Sequence, residues 1–111
     1  MFSKFRLPMI IVHTPFLWVE GLTFFPWVFC RDNNPPPWLL NHERIHLRQQ
    51  LETGILLFYI WYIFEYLIRL IQYRHRYRAY RNISFEREAY SNDKDLTYLT
   101  KRKAWAMLKY L

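Results

Sequence analysis

Cysteine and glycine are scarce in this chain, which has 1 Cys and 2 Gly among 111 residues. A single cysteine excludes an intramolecular disulfide framework and fits a reducing compartment. Cys30 follows three apolar residues in a predicted strand, so we interpret it as a small buried hydrophobe rather than a nucleophile. The first residues, from Met1, are basic and then apolar but lack an A-x-A-like cleavage site. We expect them to belong to the mature fold and not to a signal peptide.

The length leaves room for one domain and none for a separate substrate-recognition module. The chain is 52% hydrophobic and 21% aromatic, and its formal net charge is +7. Such a composition has more apolar surface than a small core can bury. It predicts contact with a membrane or with an obligate partner.

An HExxH motif occupies residues 42–46, inside a stretch that is predicted to be helical. Side chains four residues apart share one face of a helix, so His42 and His46 can both contact one Zn²⁺ while Glu43 lies beside them as a general base. Taken alone, the pentapeptide fits equally well with two surface histidines and a solvated glutamate. A third ligand must therefore be sought elsewhere in the chain.

A mononuclear catalytic zinc takes three protein ligands and leaves the fourth position to water. Glu65 has the spacing of a helical ion pair with Arg69, so we interpret it as structural. Glu86 follows Ser84, a predicted helix cap, and the small Ala89 three positions later would let this helix lie close to the histidine helix. Glu86 is therefore the predicted third ligand.

HExxH followed some tens of residues later by an ExxA helix resembles the gluzincin metallopeptidases, especially the membrane-associated group that includes the CAAX prenyl endopeptidases and the BlaR-type sensor proteases. The resemblance implies Zn²⁺ held by His42, His46 and Glu86, with Glu43 activating the water. It covers roughly the middle half of the chain. The chain also resembles small uncharacterised proteins that share an HExxHxxQQ element and a FEREAY element.

The chain departs from the gluzincin pattern at Tyr90, where that family has an Asp that holds a ligand imidazole. Several side chains are candidates to replace this Asp, and the sequence does not choose among them: Glu52, Glu88, Asn92, Asp93 and the Tyr90 hydroxyl.

We predict an α+β fold, mostly α, in a single zincin-like domain. Residues 1–37 are predicted to form a β-hairpin and a proline-rich loop, because the apolar runs 16–19 and 23–29 flank the turn signal Glu20-Gly21. Pro26 would place the second run at an edge or a bulge. Four helices are predicted, with a break at Gly54: the HExxH helix (38–53), an apolar helix (54–73), the ExxA helix (84–92) and a C-terminal helix (95–111).

Residues 54–71 are apolar nearly all round, as in a helix that is buried or in lipid. This stretch is near the lower length limit for a bilayer span and contains Glu65 and Arg69, so a full span and an interfacial helix are both open. Arginines and tyrosines in 69–81 favour anionic headgroups, and we expect membrane association at the cytoplasmic face of the cell membrane. A plain solvated surface and nucleic-acid contact through 69–81 are both less favoured, because each leaves the apolar helix unexplained.

Together these patterns predict a membrane-associated zinc metallopeptidase acting on a peptide or protein substrate, in which Glu43 takes a proton from the attacking water. The alternative is a non-catalytic binding protein, in which zinc supports folding and Glu43 pairs with a base such as Arg48. An edge strand before the metal helix can bind an extended substrate or simply cover the core. The oxyanion stabiliser is left open among His75, Tyr73, Tyr77 and Tyr80.

Overall fold

The computed structural model describes residues 9–111, and its fold is α+β and mostly α, as predicted. The prediction that the segment from Met1 belongs to the mature fold lies largely outside the described residues. The strands are β1 (Ile10–His13), β2 (Gly21–Phe24) and β3 (Trp27–Cys30), and the helices are α1 (Pro37–Thr53), α2 (Ile55–Tyr73), α3 (Arg76–Arg81), α4 (Ser84–Asn92) and α5 (Tyr98–Lys101), followed by a 3₁₀ helix at Ala106–Tyr110.

The three strands form one sheet in the order β1-β3-β2, with β1 parallel and β2 antiparallel to β3. A hairpin is present, but the predicted strand over 16–19 and the predicted turn at 20–21 were wrong. The turn lies at Phe25-Pro26, Phe24 pairs with Trp27 across it, and residues 16–19 form no strand. Proline has no N–H for a strand ladder, so the run 23–29 turns at Pro26 instead of continuing through it.

Helix α1 begins at Pro37 and ends before Gly54, close to the predicted bounds. Gly54 has φ 85° and ψ 136°, a conformation that side chains with a Cβ rarely adopt. The chain therefore changes direction at Gly54, and α2 starts at the next residue. Helix α1 packs against β2, α2 and α4.

Helix α2 is long and apolar enough to cross a membrane, with 19 residues and a mean hydropathy of 1.5, but only 11% of that stretch is buried. On its inward face, Phe58 packs against Phe85 of α4 in an aromatic cluster. Glu65 lies 3.6 Å from Arg69, as expected for a helical ion pair.

Glu65 also accepts hydrogen bonds from the backbone N–H and the hydroxyl of Ser84, at 2.6 and 2.7 Å. Ser84 is therefore the first residue of α4 and not its cap, since a carboxylate from α2 supplies the acceptor.

The predicted continuous helix over 95–111 was wrong. Helix α5 ends at Lys101, Arg102 is extended with ψ 133°, and Trp105 is left-handed with φ 60°. Arg102 is buried and binds both oxygens of Glu52, at 2.8 and 3.0 Å, as well as Glu88. One buried guanidinium thus pairs with carboxylates from α1 and α4, a distant contact that the local apolar pattern does not encode.

Candidate metal centre

Two histidines of α1 and one glutamate of α4 bring three metal-binding atoms together. His42 Nε2 and His46 Nε2 each lie 3.0 Å from Glu86 Oε1, and the two Nε2 atoms lie 3.2 Å apart. All three side chains are buried. Ligand atoms around a tetrahedral zinc are separated by about 3.3 Å, given metal–ligand distances of roughly 2.0–2.1 Å. The group can therefore hold one metal ion.

Both imidazoles are oriented by an acceptor on the opposite ring nitrogen. His42 Nδ1 lies 3.0 Å from Asp93 Oδ2, and His46 Nδ1 lies 2.8 Å from Gln49 Oε1. The Gln49 amide nitrogen donates to Phe85 O and to Glu88 Oε1. The amide oxygen of Gln49 is therefore the atom that faces His46 and accepts from it. A proton on each Nδ1 meets an acceptor, so Nε2 is the atom of each ring that is available to a metal.

Among the candidates to orient the His42 ring, Asp93 is the one whose carboxylate contacts it. Asp93 lies seven positions after Glu86, which is about two helical turns, so both side chains face α1. Asp93 is 2% exposed and lies directly after the last residue of α4. Tyr90 instead packs edge-on against the His42 ring, with centroids 4.5 Å apart.

Tyr62 of α2 holds the other oxygen of the Glu86 carboxylate. Its hydroxyl donates to Oε2 at 2.6 Å, while Oε1 faces the histidines. Our sequence reasoning missed Tyr62, and its only signal was a phenol within an otherwise apolar helix. The outward and inward faces of α2 could not be separated without knowing the packing.

The Glu86 carboxylate and the His46 imidazole each stabilise the charged form of the other. Burial raises the pKa of Glu86, but His46 and His42 more than offset this and hold that pKa well below its usual range. Burial lowers the pKa of His46, but the Glu86 carboxylate outweighs it and raises the pKa to about 9. A metal that binds here displaces a proton from His46 and meets an ionised carboxylate.

Glu43 lies beside the metal-binding group, and strand β2 contacts its carboxylate. The Thr23 hydroxyl donates to Oε2 of Glu43. A Cβ added at Gly21 would lie only 2.6 Å from Oε1, so a larger residue at this position would force the Glu43 carboxylate to shift. Gly21 was predicted as part of a turn, and the structure shows instead that it is the first residue of β2.

A second layer of polar contacts connects the centre to the C-terminal segment. Glu88 accepts from Gln49 at 3.0 Å, from the Tyr98 hydroxyl at 2.6 Å and from Arg102. Burial raises the pKa of Glu88, but its bonds to Arg102 and Tyr98 outweigh this and lower it. Two of the candidates to support the histidines therefore have different partners. Glu88 binds Gln49, which contacts His46, whereas Glu52 binds Arg102.

A cleft of about 1020 Å³ opens over the metal-binding group. Its walls include Gly21 of β2, Ile63 of α2 and Tyr80 of α3. Tyr80 and Tyr90 share a hydrogen bond of 2.8 Å between their hydroxyls.

The four residues considered for the oxyanion role do not all reach this cleft. Tyr77 and Tyr80 line it. His75 instead accepts the backbone N–H of Arg78 at 3.2 Å and caps α3. Tyr73 lies beneath the Arg78 guanidinium, 5.2 Å from it.

Comparison with protein-family models, with curated proteins and with solved structures finds no match to this chain. The fold and the site define a class only at a coarse level: a small α+β protein with a buried histidine–glutamate group that could bind a metal.

Proposed function

We propose that this chain is a zinc-dependent metallopeptidase. The observation that carries the proposal is the convergence of His42 Nε2, His46 Nε2 and Glu86 Oε1 within 3.2 Å of one another, with the Glu43 carboxylate beside them at a cleft. The converging residues are those of the HExxH and ExxA motifs, on which the resemblance to gluzincins rests.

The donor set favours zinc. Two imidazoles and one carboxylate suit Zn²⁺, and three protein ligands are typical of a catalytic site, because a fourth position stays available for water. Bound zinc acts as a Lewis acid that polarises a carbonyl and lowers the pKa of a water to about 7. Asp93 and Gln49 support this chemistry by holding both rings with Nε2 toward the metal.

Glu43 is the proposed general base. Its carboxylate is held by a neutral hydroxyl, that of Thr23, which orients the group and leaves acceptor capacity for a water proton. Glu43 takes that proton and then delivers it to the leaving amine as the peptide bond breaks. The alternative partner Arg48 has Glu52 as its main attractive charge.

Strand β2 supplies an edge for an extended substrate. The carbonyl of Thr23 accepts from the side chains of Gln50 and Tyr59, so it faces away from β3. Backbone groups two residues apart on a strand face the same way, and those of Gly21 therefore also face away from β3. A peptide that adds to β2 at Gly21 would pass along the cleft beside Glu43.

Metal content and activity on a peptide library test the proposal together. Wild-type protein is expected to hold one zinc per chain, and His42→Ala to lose it. Glu43→Gln is expected to retain zinc while peptide cleavage falls by about 10²–10⁴-fold, because a general base contributes on that scale.

Wild-type protein that stays metal-free under zinc-replete conditions would refute the proposal. Stoichiometric zinc without any cleavage would instead support the zinc-stabilised binding protein.

A further inference from the structure

The outward face of α2 carries a continuous band of exposed apolar side chains. We name it the α2 stripe, and it consists of six residues on one face of the helix: Leu57, Ile60, Ile63, Phe64, Leu67 and Ile71. They expose on the order of 700 Å² along about 21 Å of helix, whereas the largest apolar patch of a typical monomer is roughly 300–600 Å². The exposed area of the stripe therefore exceeds that of the largest apolar patch on a typical soluble monomer, which indicates a contact surface.

The opposite face of α2 is held by the domain. Phe58 and Glu65 are buried, and Tyr62 binds the carboxylate of Glu86. A helix that crosses a bilayer alone exposes apolar side chains all round its axis, but α2 exposes the stripe on one side only. The stripe thus suits a flat apolar contact that runs parallel to the helix axis.

Positive charge lies directly at the C-terminal end of the stripe. Residues 66–85 contain five arginines and no Asp or Glu. Arg74, Arg76 and Arg78 are all exposed. These residues match the phosphates of anionic headgroups, and the stripe matches the acyl chains beneath them.

A second copy of the chain is a poorer match for this surface. Each copy has a formal net charge of +7, and the segment 66–85 offers no carboxylate to a neighbouring arginine segment. Association through this face would bring like charges together.

We propose that the α2 stripe docks in the plane of an anionic lipid bilayer, with Arg74 and Arg78 at the level of the phosphates. Ile63 belongs to the stripe and also lines the cleft over the metal-binding group. The cleft therefore opens beside the bilayer. If the proposed peptidase function holds, its substrate is a peptide segment at the membrane surface.

Flotation with preformed vesicles tests the docking. The zinc-replete full chain is mixed with vesicles of phosphatidylcholine alone or of phosphatidylcholine with phosphatidylglycerol. The stripe variant carries Leu57→Ser, Phe64→Ser and Ile71→Ser, and it is expected to lose roughly 100-fold in partitioning to the anionic vesicles. Its matched control places serine at three exposed apolar residues of the C-terminal segment, Leu96, Leu108 and Leu111, and should stay within about twofold of wild type.

A second pair of variants tests the charge contribution without touching the stripe. Arg74→Gln with Arg78→Gln should weaken partitioning to anionic vesicles about tenfold or more and leave neutral vesicles unaffected. Lys103→Gln with Lys109→Gln removes two exposed charges elsewhere and should have a smaller effect.

Two results would overturn the proposal. One is wild-type flotation by the stripe variant while its zinc content and melting temperature match wild type. The other is a wild-type dimer that ignores vesicles and becomes monomeric in the stripe variant, since a second copy would then be the occupant.

External trypsin separates an in-plane helix from a span. Arg31 and Lys103 lie on either side of α2 in the sequence and are both exposed, so both should be cut in vesicle-bound protein. Protection of one of them would show that α2 crosses the bilayer. Glu43→Gln should float like wild type, so a failure of the peptidase proposal is distinguishable from a failure of docking.

Discussion

Replacing Asp93 probes the metal centre without altering a ligand. Its Oδ2 lies 3.0 Å from His42 Nδ1, and the carboxylate is 2% exposed. Asp93→Ala leaves a buried N–H without its acceptor and frees the ring to rotate. Loss of such a partner typically weakens metal binding by about 10–100-fold, which is about 1.4–2.7 kcal/mol. We expect this loss in zinc affinity, measured by competition with a chelator of known affinity.

Asp93→Asn refines the experiment, because an amide oxygen can still accept from His42 but carries no charge. Its affinity should lie between those of wild type and Asp93→Ala. Asp95→Ala is the matched control, since Asp95 pairs with Lys101 at 2.7 Å and its side chain is 39% exposed. Its effect on zinc affinity should be within about twofold. Wild-type affinity in a folded Asp93→Ala protein would refute the assignment of Asp93 to His42.

Two further predictions use matched pairs of residues. Gly21→Ala places a Cβ 2.6 Å from Glu43 Oε1 and should lower kcat/KM by about 10²-fold with zinc content unchanged. Gly54→Ala meets nothing within 4 Å, but Gly54 has φ 85°, so this variant should lose about 1–2 kcal/mol of stability with kcat/KM unchanged. Equal kcat/KM in the two variants would contradict this expectation. Arg102→Ala leaves Glu88 buried without its cation and should lower the free energy of unfolding by about 3–5 kcal/mol in urea titrations. Lys101 is exposed, and Lys101→Ala should lower the free energy of unfolding by roughly 1 kcal/mol or less. Similar losses for both variants would count against a buried ion pair at Arg102.

The helices that carry the metal-binding residues could be placed from local signals. Pro37 suits a first helical turn, and Gly54 supplies a conformation that ends α1. Residues 84–92 were predicted as one helix, and α4 has those bounds. These signals act within a few residues of the backbone they control, so they are readable without tertiary structure.

The hairpin and the C-terminal helix failed because distant contacts decide them. Residues 16–19 have strand-forming side chains, yet β3 pairs with β1 and β2 and has no edge left for them. Arg102 lies in a segment with a partial helical stripe, but its pairing with Glu52 bridges 50 residues of sequence. A local pattern contains no information on such pairing.

The candidate site shows the same division between local and distant information. The spacing of His42 and His46 follows from one helix, whereas Asp93 became distinguishable from the other candidate partners only when α4 was docked against α1. Tyr62 required one further element, because α2 had to present that face to Glu86.

Tyr62 connects the helix that carries the α2 stripe to the metal-binding group. Helix α2 contributes a hydroxyl to Glu86 and a carboxylate to the start of α4, and its opposite face carries the α2 stripe. A rotation of α2 about its axis would move the stripe and the Tyr62 hydroxyl together. Docking of the stripe would therefore fix the direction in which the cleft faces the bilayer, while substitutions confined to the stripe should leave the metal-binding group intact.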